Sequence, residues 1–483
     1  PEWTITKGTR PMTDERWGPE TAALLRRASD LASEYLASLP ERHVAPRAPM
    51  DELRAALAID LPAHGEPAAQ VIEAIARNGD PGVMASAGPR FFGFVIGGTL
   101  PAALAADWIT SAWDQNVGLY VLGPSYAVME ETAVRWLLDL LGLPPTASVG
   151  LTTGCQMAHF VALASARRAV LLREGWDVEA QGLNGAPEVH VVGGAEAHIT
   201  ISIALQMLGL GAERMKRAAV DDQGRMRPDS LREVLATCDG PTIVCAQAGN
   251  VNTGSFDPLD EIADIVAQRP GTWLHVDGAF GLWAAASPEM RHLVRGVERA
   301  DSWASDSHKW LNVPYDSGLV AVADPEVHRA SMMMSAAYLM QREGDQRDPS
   351  DWVPEFSRRG RGLAVYAALR SLGRDGVTDL IERCSRLARR MADGLSSASG
   401  VEVLNEVVLN QVLVRFGDDD ALTREVVRRV QDDGTCWLSG SVWQGRAVMR
   451  ISVSNWSTTE ADADLSTQAI LRCWEATRAP ADA

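Results

Sequence analysis

The chain has no Cys-x-x-Cys pair, no long apolar run and no surplus of positive charge. Its six cysteines, Cys155, Cys238, Cys245, Cys384, Cys436 and Cys473, are scattered over 483 residues. That spacing fits reduced thiols in a cytoplasmic protein rather than a disulfide framework. No apolar stretch approaches the roughly 20 residues that span a bilayer, and Pro1 to Lys7 contain no apolar leader segment. Lys and Arg number 45 against 63 Asp and Glu, a net charge of −18. This excludes the basic footprint that nucleic acid or an anionic membrane requires, and favours solubility. The histidines show no metal-ligand spacing and there is no Gly-x-Ser-x-Gly, so no metal and no hydrolase triad are expected.

What remains is an ordinary globular chain, 46 % hydrophobic and 22 % charged, long enough for two or three domains. Residues 1–88 read as polar helices broken by prolines, predicted over Pro19 to Leu39, Asp51 to Ile59 and Pro67 to Ile75. Such a segment cannot bury a core alone. Helices are then predicted over Pro101 to Trp113 and Ser125 to Leu141. Beyond Pro144-Pro145, helices at Met157 to Arg173, Ile199 to Leu208, Pro228 to Thr237 and Pro258 to Gln268 alternate with apolar strands. Those strands are Glu188 to Val192, Thr242 to Ala246, Trp273 to Val276, Ser302 to Ser305 and Gly318 to Val322. The alternation predicts an α/β fold, a mostly parallel central sheet with helices on both faces and ligands beyond the carboxyl ends of its strands. After helices at Leu363 to Leu372 and Thr378 to Ser397, strands at Val412 to Phe416 and Ala447 to Val453 flank a helix, Leu422 to Asp432. Ser457-Thr458-Thr459-Glu460 reads as a capping box heading a last helix, Ala461 to Thr477.

The chemistry centres on Ala304-Ser305-Asp306-Ser307-His308-Lys309-Trp310-Leu311. A lysine where a strand yields to a loop is expected to lose its proton readily through desolvation, and the neutral amine attacks an aldehyde to form a Schiff base. Alone, the His-Lys pair reads better as a snorkelling surface lysine. Upstream, Trp273-Leu274-His275-Val276-Asp277-Gly278-Ala279-Phe280 ends an apolar run in a carboxylate. A buried carboxylate needs a partner, and in pyridoxal phosphate chemistry that partner is the protonated ring nitrogen. Gly278 and Ala279 leave room for a flat ring.

With His198 in Ala195-Glu196-Ala197-His198-Ile199-Thr200-Ile201, these motifs and their spacing resemble the group II pyridoxal-phosphate-dependent amino acid decarboxylases. That fold type I family includes aromatic amino acid and glutamate decarboxylases, and the likeness runs from about Pro89 to the C-terminus. The resemblance implies pyridoxal 5′-phosphate bound to Lys309, Asp277 on the pyridine nitrogen and His198 stacked on the ring. It places the phosphate cradle at Leu151-Thr152-Thr153-Gly154-Cys155-Gln156, with Gly154, Cys155 and Gln156 on its positions. Ala279, Ser307, His308 and Asn250 follow as cofactor contacts, although Asn250 reads equally as a plain turn residue.

The family's Asn-Pro before His-Lys is Asp306-Ser307 here. Asp306 is therefore expected to turn away from the phosphate or to be neutralised. Gly88-Pro89-Arg90-Phe91-Phe92-Gly93-Phe94-Val95-Ile96-Gly97 reads as an apolar wall or a core-packing loop. By resemblance it floors the substrate pocket, giving Phe94, Gly97 and Leu119 as pocket residues and a lean towards aromatic or aliphatic substrates. Ser357-Arg358-Arg359-Gly360-Arg361-Gly362 resembles the family's Arg-bearing turn, at the cofactor phosphate or the subunit boundary. The polar stretch at about 334–352 resembles the catalytic loop, with Tyr338 as the residue that reprotonates Cα and favours simple decarboxylation over oxidation.

The expected organisation is a helical dimerisation segment (1–88), a large cofactor domain (89–355) and a small C-terminal α+β domain (356–483). The chain is expected to work as a homodimer with active sites at the interface, releasing an amine and CO₂ from an L-amino acid. The rival readings are another Cα reaction on the same cofactor, oxidative or aldol-type, and a binding protein without turnover.

Overall fold

The computed structural model describes residues 17–333 and 346–479. Seven strands make the larger sheet: β1 (Ser148–Thr152), β2 (His190–Gly194), β3 (Lys216–Ala218), β4 (Thr242–Gln247), β5 (Trp273–Asp277), β6 (Ser302–Asp306) and β7 (Gly318–Val322). Every residue of β4, β5 and β6 is buried, as strands covered by helices on both faces must be. The order is β1-β7-β6-β5-β4-β2-β3. Strands β3, β2, β4, β5 and β6 run parallel, while β7 is antiparallel to both β6 and β1. The predicted sheet lacked β1 and β3. Gly150 breaks up the apolar run of β1, yet any Cβ there would meet the Trp352 carbonyl at 2.3 Å; β3 is three residues long and mostly polar.

The second sheet is antiparallel, in the order β10-β11-β9-β8. Its strands are β8 (Val401–Val403), β9 (Gln411–Phe416), β10 (Ser439–Trp443) and β11 (Arg446–Ser452). Strands β8 and β10 went unpredicted because their half-exposed residues carry no apolar run. The two helices expected either side of Gly373 form one run, Gly362–Ser396, broken where Gly373 takes φ 63°. The last helix, Glu460–Arg478, is capped by Thr459 with Asp462, not by Ser457 with Glu460. Ser457 instead donates its hydroxyl to Asn455 Oδ1 at 2.8 Å.

In the N-terminal arm, helices Pro19–Ser38, Met50–Leu57 and Ala68–Gly79 contain no buried residue. Leu25, Leu57, Ile59 and Ile75 are exposed on or beside them. Of the expected phenylalanine wall, Phe91 and Phe92 are core residues. Phe91 stacks on Trp437 at 5.2 Å, and Phe92 exchanges backbone hydrogen bonds with Trp437 and Ser452, which ties this segment to the small sheet. Phe94 alone of the three is exposed, at 54 %.

Candidate active site

Strands β1, β2, β4, β5 and β6 all end on one edge of the large sheet, and the sequence-predicted residues gather there. Lys309 follows β6 by three residues, and two groups fix its loop. Asn312, at φ 53°, donates Nδ2 to the Trp310 and Ser454 carbonyls at 2.8 and 2.9 Å and accepts from the Gly98 and Trp456 amides. Gly97 approaches so closely that an added Cβ would stand 1.8 Å from the Lys309 carbonyl oxygen. Gly97 thus shapes the site through the lysine's own backbone.

The half-buried Lys309 Nζ lies 2.9 Å from Asp306 Oδ2. Burial pushes the ammonium down, but Asp306 beside it, with help from Asp277, outweighs burial and holds Lys309 above the ordinary lysine range. The expectation of a readily deprotonated lysine is corrected accordingly: the sequence showed the pocket but not its counter-charge. Nor does Asp306 turn away. Its Oδ1 accepts from the Cys155 amide at 2.6 Å, at the N-terminus of helix Cys155–Arg173, and stands 3.5 Å from His308 Nε2. Neutralisation by Lys309 and the helix end is the outcome realised.

Asp277 ends β5 with 4 % exposure. Its Oδ1 accepts from the Ala279 amide at 3.1 Å and faces His159 Nε2 at 3.5 Å. Burial pushes this carboxyl up; His159, His198 and the Ala279 N–H prevail and hold it well below the usual carboxylate range. His198 caps helix Ile199–Met207, its Nδ1 engaged by the Thr200 hydroxyl at 2.9 Å. It lines a cleft together with Ala197, Ile201, Cys245 and Asp277. Burial depresses its imidazole, with Asp277 opposing and Lys309 and Arg450 adding to the depression.

The remaining expected contacts divide. Ser307 is buried and its Oγ has no hydrogen-bond partner among the described residues; the same holds for Ser317 Oγ. Ser317 precedes Gly318, which packs on Gly154 so closely that a Cβ would meet the Gly154 backbone at 2.6 Å. Two orphaned hydroxyls beside a helix N-terminus and an ionised carboxylate at a buried strand end fit pyridoxal phosphate. Asp306 is the one discordant group. His308 accepts from the Ser317 amide at 3.2 Å and stacks on Tyr315 at 4.3 Å. Gln156 is exposed at the helix start. Asn250 spends its side chain on its own turn and on Glu196, accepting from the Asn252 and Thr253 amides and donating to Glu196 at 3.1 Å. The plain-turn reading of Asn250 therefore describes its geometry. Leu119 is half-buried. Tyr338 and most of the expected catalytic loop lie outside the described residues.

Of the Arg-bearing turn, Arg358 pairs with Glu130, Arg359 with Asp107 and Arg361 with Asp316. Two residues near the site, His159 and Arg450, escaped sequence reasoning. Cys155 and His159 stand one helical turn apart, and their ligand atoms lie with that of Asp277 within 4.8 Å of one another, which corrects the view that no histidine has ligand spacing. Burial, then Asp306 and Asp277, push the Cys155 thiol well up, so it stays protonated. Arg450 on β11 is buried to 9 %. Burial pushes it down to about 10, and no hydrogen bond or ion pair engages its side chain among the described residues. A buried cation left that way awaits an anion.

A mostly parallel sheet carrying an amine and an ionised carboxylate at its carboxyl edge, beside a small antiparallel sheet, defines a fold type I pyridoxal phosphate enzyme. The profile described as the pyridoxal-dependent decarboxylase conserved domain matches residues 49–416, and the chain belongs to that family. Tryptophan decarboxylase 1 of Oryza sativa subsp. japonica is 28 % identical over 469 residues, 90 % of each chain. Cysteine sulfinic acid decarboxylase of Mus musculus is 30 % identical over 364 residues, 74 % of this chain and 72 % of the relative. The crystal structure of Oryza sativa TDC with PLP and tryptamine matches with TM-score 0.89 at 25 % identity, over 97 % of this chain and 99 % of that one. The protein is a pyridoxal-phosphate-dependent lyase that decarboxylates an amino acid.

Proposed function

We propose that the chain carries out this decarboxylation on an L-amino acid with Lys309 holding the cofactor, Asp277 on its ring nitrogen, His198 against the ring and Arg450 receiving a substrate carboxylate. The observation that carries the reading is Asp277, a carboxylate buried at the end of β5. A carboxylate in that position requires a cation, and a protonated pyridine nitrogen is one. When bound, pyridoxal phosphate supplies the electron sink for the pair released at the substrate Cα.

The rest is the work of the chain's own groups. Asp277 retains the proton on the ring nitrogen. His198, its Nδ1 committed to Thr200, presents Nε2–H towards the ligand. The Ser307 and Ser317 hydroxyls and the Cys155 end of its helix offer donors to the phosphate, with Gly154 leaving room. Arg450 would orient the substrate by its carboxylate and so select which bond at Cα is broken. Tyr338 returns a proton to Cα.

A homodimer is supported by the arm, whose helices bury none of their own residues against this chain yet display Leu25, Leu57 and Ile75. Phe94 and Leu119 are assigned to a pocket completed across that interface, and Gly97 to its floor. Six free, buried cysteines support a cytoplasmic setting. Among the described residues no helix is long and apolar enough to cross a membrane.

The test is a screen of the common amino acids with the cofactor-loaded protein, measuring CO₂, amine, aldehyde and H₂O₂ together. Equal amounts of CO₂ and amine from one substrate class support the reading. Aldehyde and H₂O₂ in place of amine overturn simple decarboxylation.

A further inference from the structure

Behind Asp277 runs a line of polar side chains that the catalytic reading leaves unused. Trp273 Nε1 donates to Ser302 Oγ at 2.8 Å, and that oxygen lies 3.0 Å from His275 Nδ1. His275 Nε2 is 2.9 Å from His159 Nδ1, and His159 Nε2 stands between Asp277 Oδ1 at 3.5 Å and Cys155 Sγ at 3.3 Å. All six side chains are buried. Polar groups buried together must be satisfied end to end, because each orphan costs its full desolvation.

The line has one consistent direction. An indole N–H only donates, so Ser302 Oγ accepts from Trp273, and its own hydrogen finds His275 Nδ1 as acceptor among the described residues. His275 then carries its hydrogen on Nε2 and donates to His159 Nδ1. His159 in turn carries its hydrogen on Nε2, aimed at the carboxylate. Reversed, the Ser302 hydrogen would lose that acceptor and His159 would turn a lone pair on the Asp277 carboxylate. Burial pushes His275 down to about 3, so it relays as a neutral ring.

We propose that His159 and His275 are positioning residues, the last links of a hydrogen-bond relay of fixed polarity, begun by Trp273 and Ser302, that keeps Asp277 ionised and aimed at the ring nitrogen of the cofactor. The relay rests on the reading of Asp277 given above. Its tautomers are set by a tryptophan and a serine at the far end, so Asp277 receives a donor without depending on solvent.

The experiment compares two ligands on the full-length protein freed of cofactor: pyridoxal phosphate and its deaza analogue, in which the ring nitrogen is replaced by C–H. Dissociation constants are read from tryptophan fluorescence, with no turnover needed. His159→Leu is expected to weaken pyridoxal phosphate about tenfold, the worth of one hydrogen bond to a charged group, and to leave the deaza analogue unchanged. His159→Asn, whose amide still donates, restores most of the loss. Ser302→Ala, which removes a single oxygen, shows the same ligand-selective loss at about threefold; absence of selectivity in that variant overturns the relay by itself, whatever the larger substitutions do to folding. Equal weakening of both ligands by His159→Leu also overturns it, since that is the mark of a merely structural residue. Asp277→Asn is the control on the underlying reading. If it fails to discriminate the ligands, the assignment of Asp277 falls; if it discriminates and the His159 and Ser302 variants do not, only the relay falls.

Discussion

Glu130 offers a measurable test of how the chain near the site is held. It lies 1 % exposed in helix Pro124–Leu140. Its Oε1 accepts from Arg347 Nη1 at 3.2 Å and Arg358 Nη1 at 3.3 Å. Both guanidiniums also donate to β1, Arg347 to the Val149 carbonyl and Arg358 to that of Leu151. One carboxylate thus serves as counter-charge to two cations that clasp the strand leading to Gly154. Glu130→Gln keeps the shape and removes the charge. Breaking a buried ion pair from one side costs about 3–5 kcal/mol, and two cations abandoned together place this case at the upper end.

With an unfolding entropy of about 2.1 cal/mol/K per residue, 483 residues give about 1 kcal/mol/K. The expected fall in melting temperature at pH 7 is therefore about 4–5 °C, read by calorimetry or far-ultraviolet circular dichroism. The pH dependence has a definite sign. Burial pushes the Glu130 carboxyl up, but Arg358 and Arg347 prevail and hold it below the ordinary range. Its contribution is present above the unfolded glutamate value, near about 4.3, and fades as pH drops through the lower folded value. The gap between parent and variant must narrow in acid. A variant melting within about 1 °C of the parent at pH 7, against an entropy scale of this size, would refute the reasoning.

Gly97→Ala forces the Lys309 carbonyl to move, because the Cβ has 1.8 Å of room; cofactor retention after gel filtration should fall at least about tenfold. Arg450→Met should raise the KM for the amino acid substrate by about tenfold or more, the loss of a buried charged contact, and a KM within about twofold of the parent counts against the assigned role. Asp306→Asn removes the carboxylate that holds Lys309 up, so the pH midpoint for reductive alkylation of Lys309 by a small aldehyde should move to lower pH. An unmoved midpoint contradicts the pairing.

The parts of this architecture that were legible share a physical cause. Helices beginning at Pro19, Pro101 and Pro228 announce themselves by a proline in the first turn, and β4, β5 and β6 by short apolar runs with nowhere to go but inside. Asp277 and Lys309 were readable because a charge at the end of such a run is anomalous. What escaped was pairing across distance. His159 and His275 are 116 residues apart, and Arg450 sits in a strand, Arg446–Ser452, that opens on another arginine, so it looks ordinary in the sequence although all of the strand beyond Arg446 is buried. Only the fold reveals that it is enclosed. Asp306 was legible in part: three residues from Lys309, it reads as a conflict with phosphate that must be neutralised, and only the fold shows that the lysine and a helix end do so. Strands β1, β3, β8 and β10 exist through their neighbours and carry little apolar signal of their own.

The central claim is that Lys309 bears the cofactor, and the composition makes it unusually easy to check, because lysines stand at only three positions, 7, 216 and 309. Lys216 already donates its Nζ to the Thr237 carbonyl at 2.7 Å, away from the site. Borohydride reduction of the loaded protein, followed by digestion and mass spectrometry, should place a single phosphopyridoxyl group on the peptide containing Lys309. The same group on Lys7 or Lys216, with position 309 unlabelled, would contradict the account.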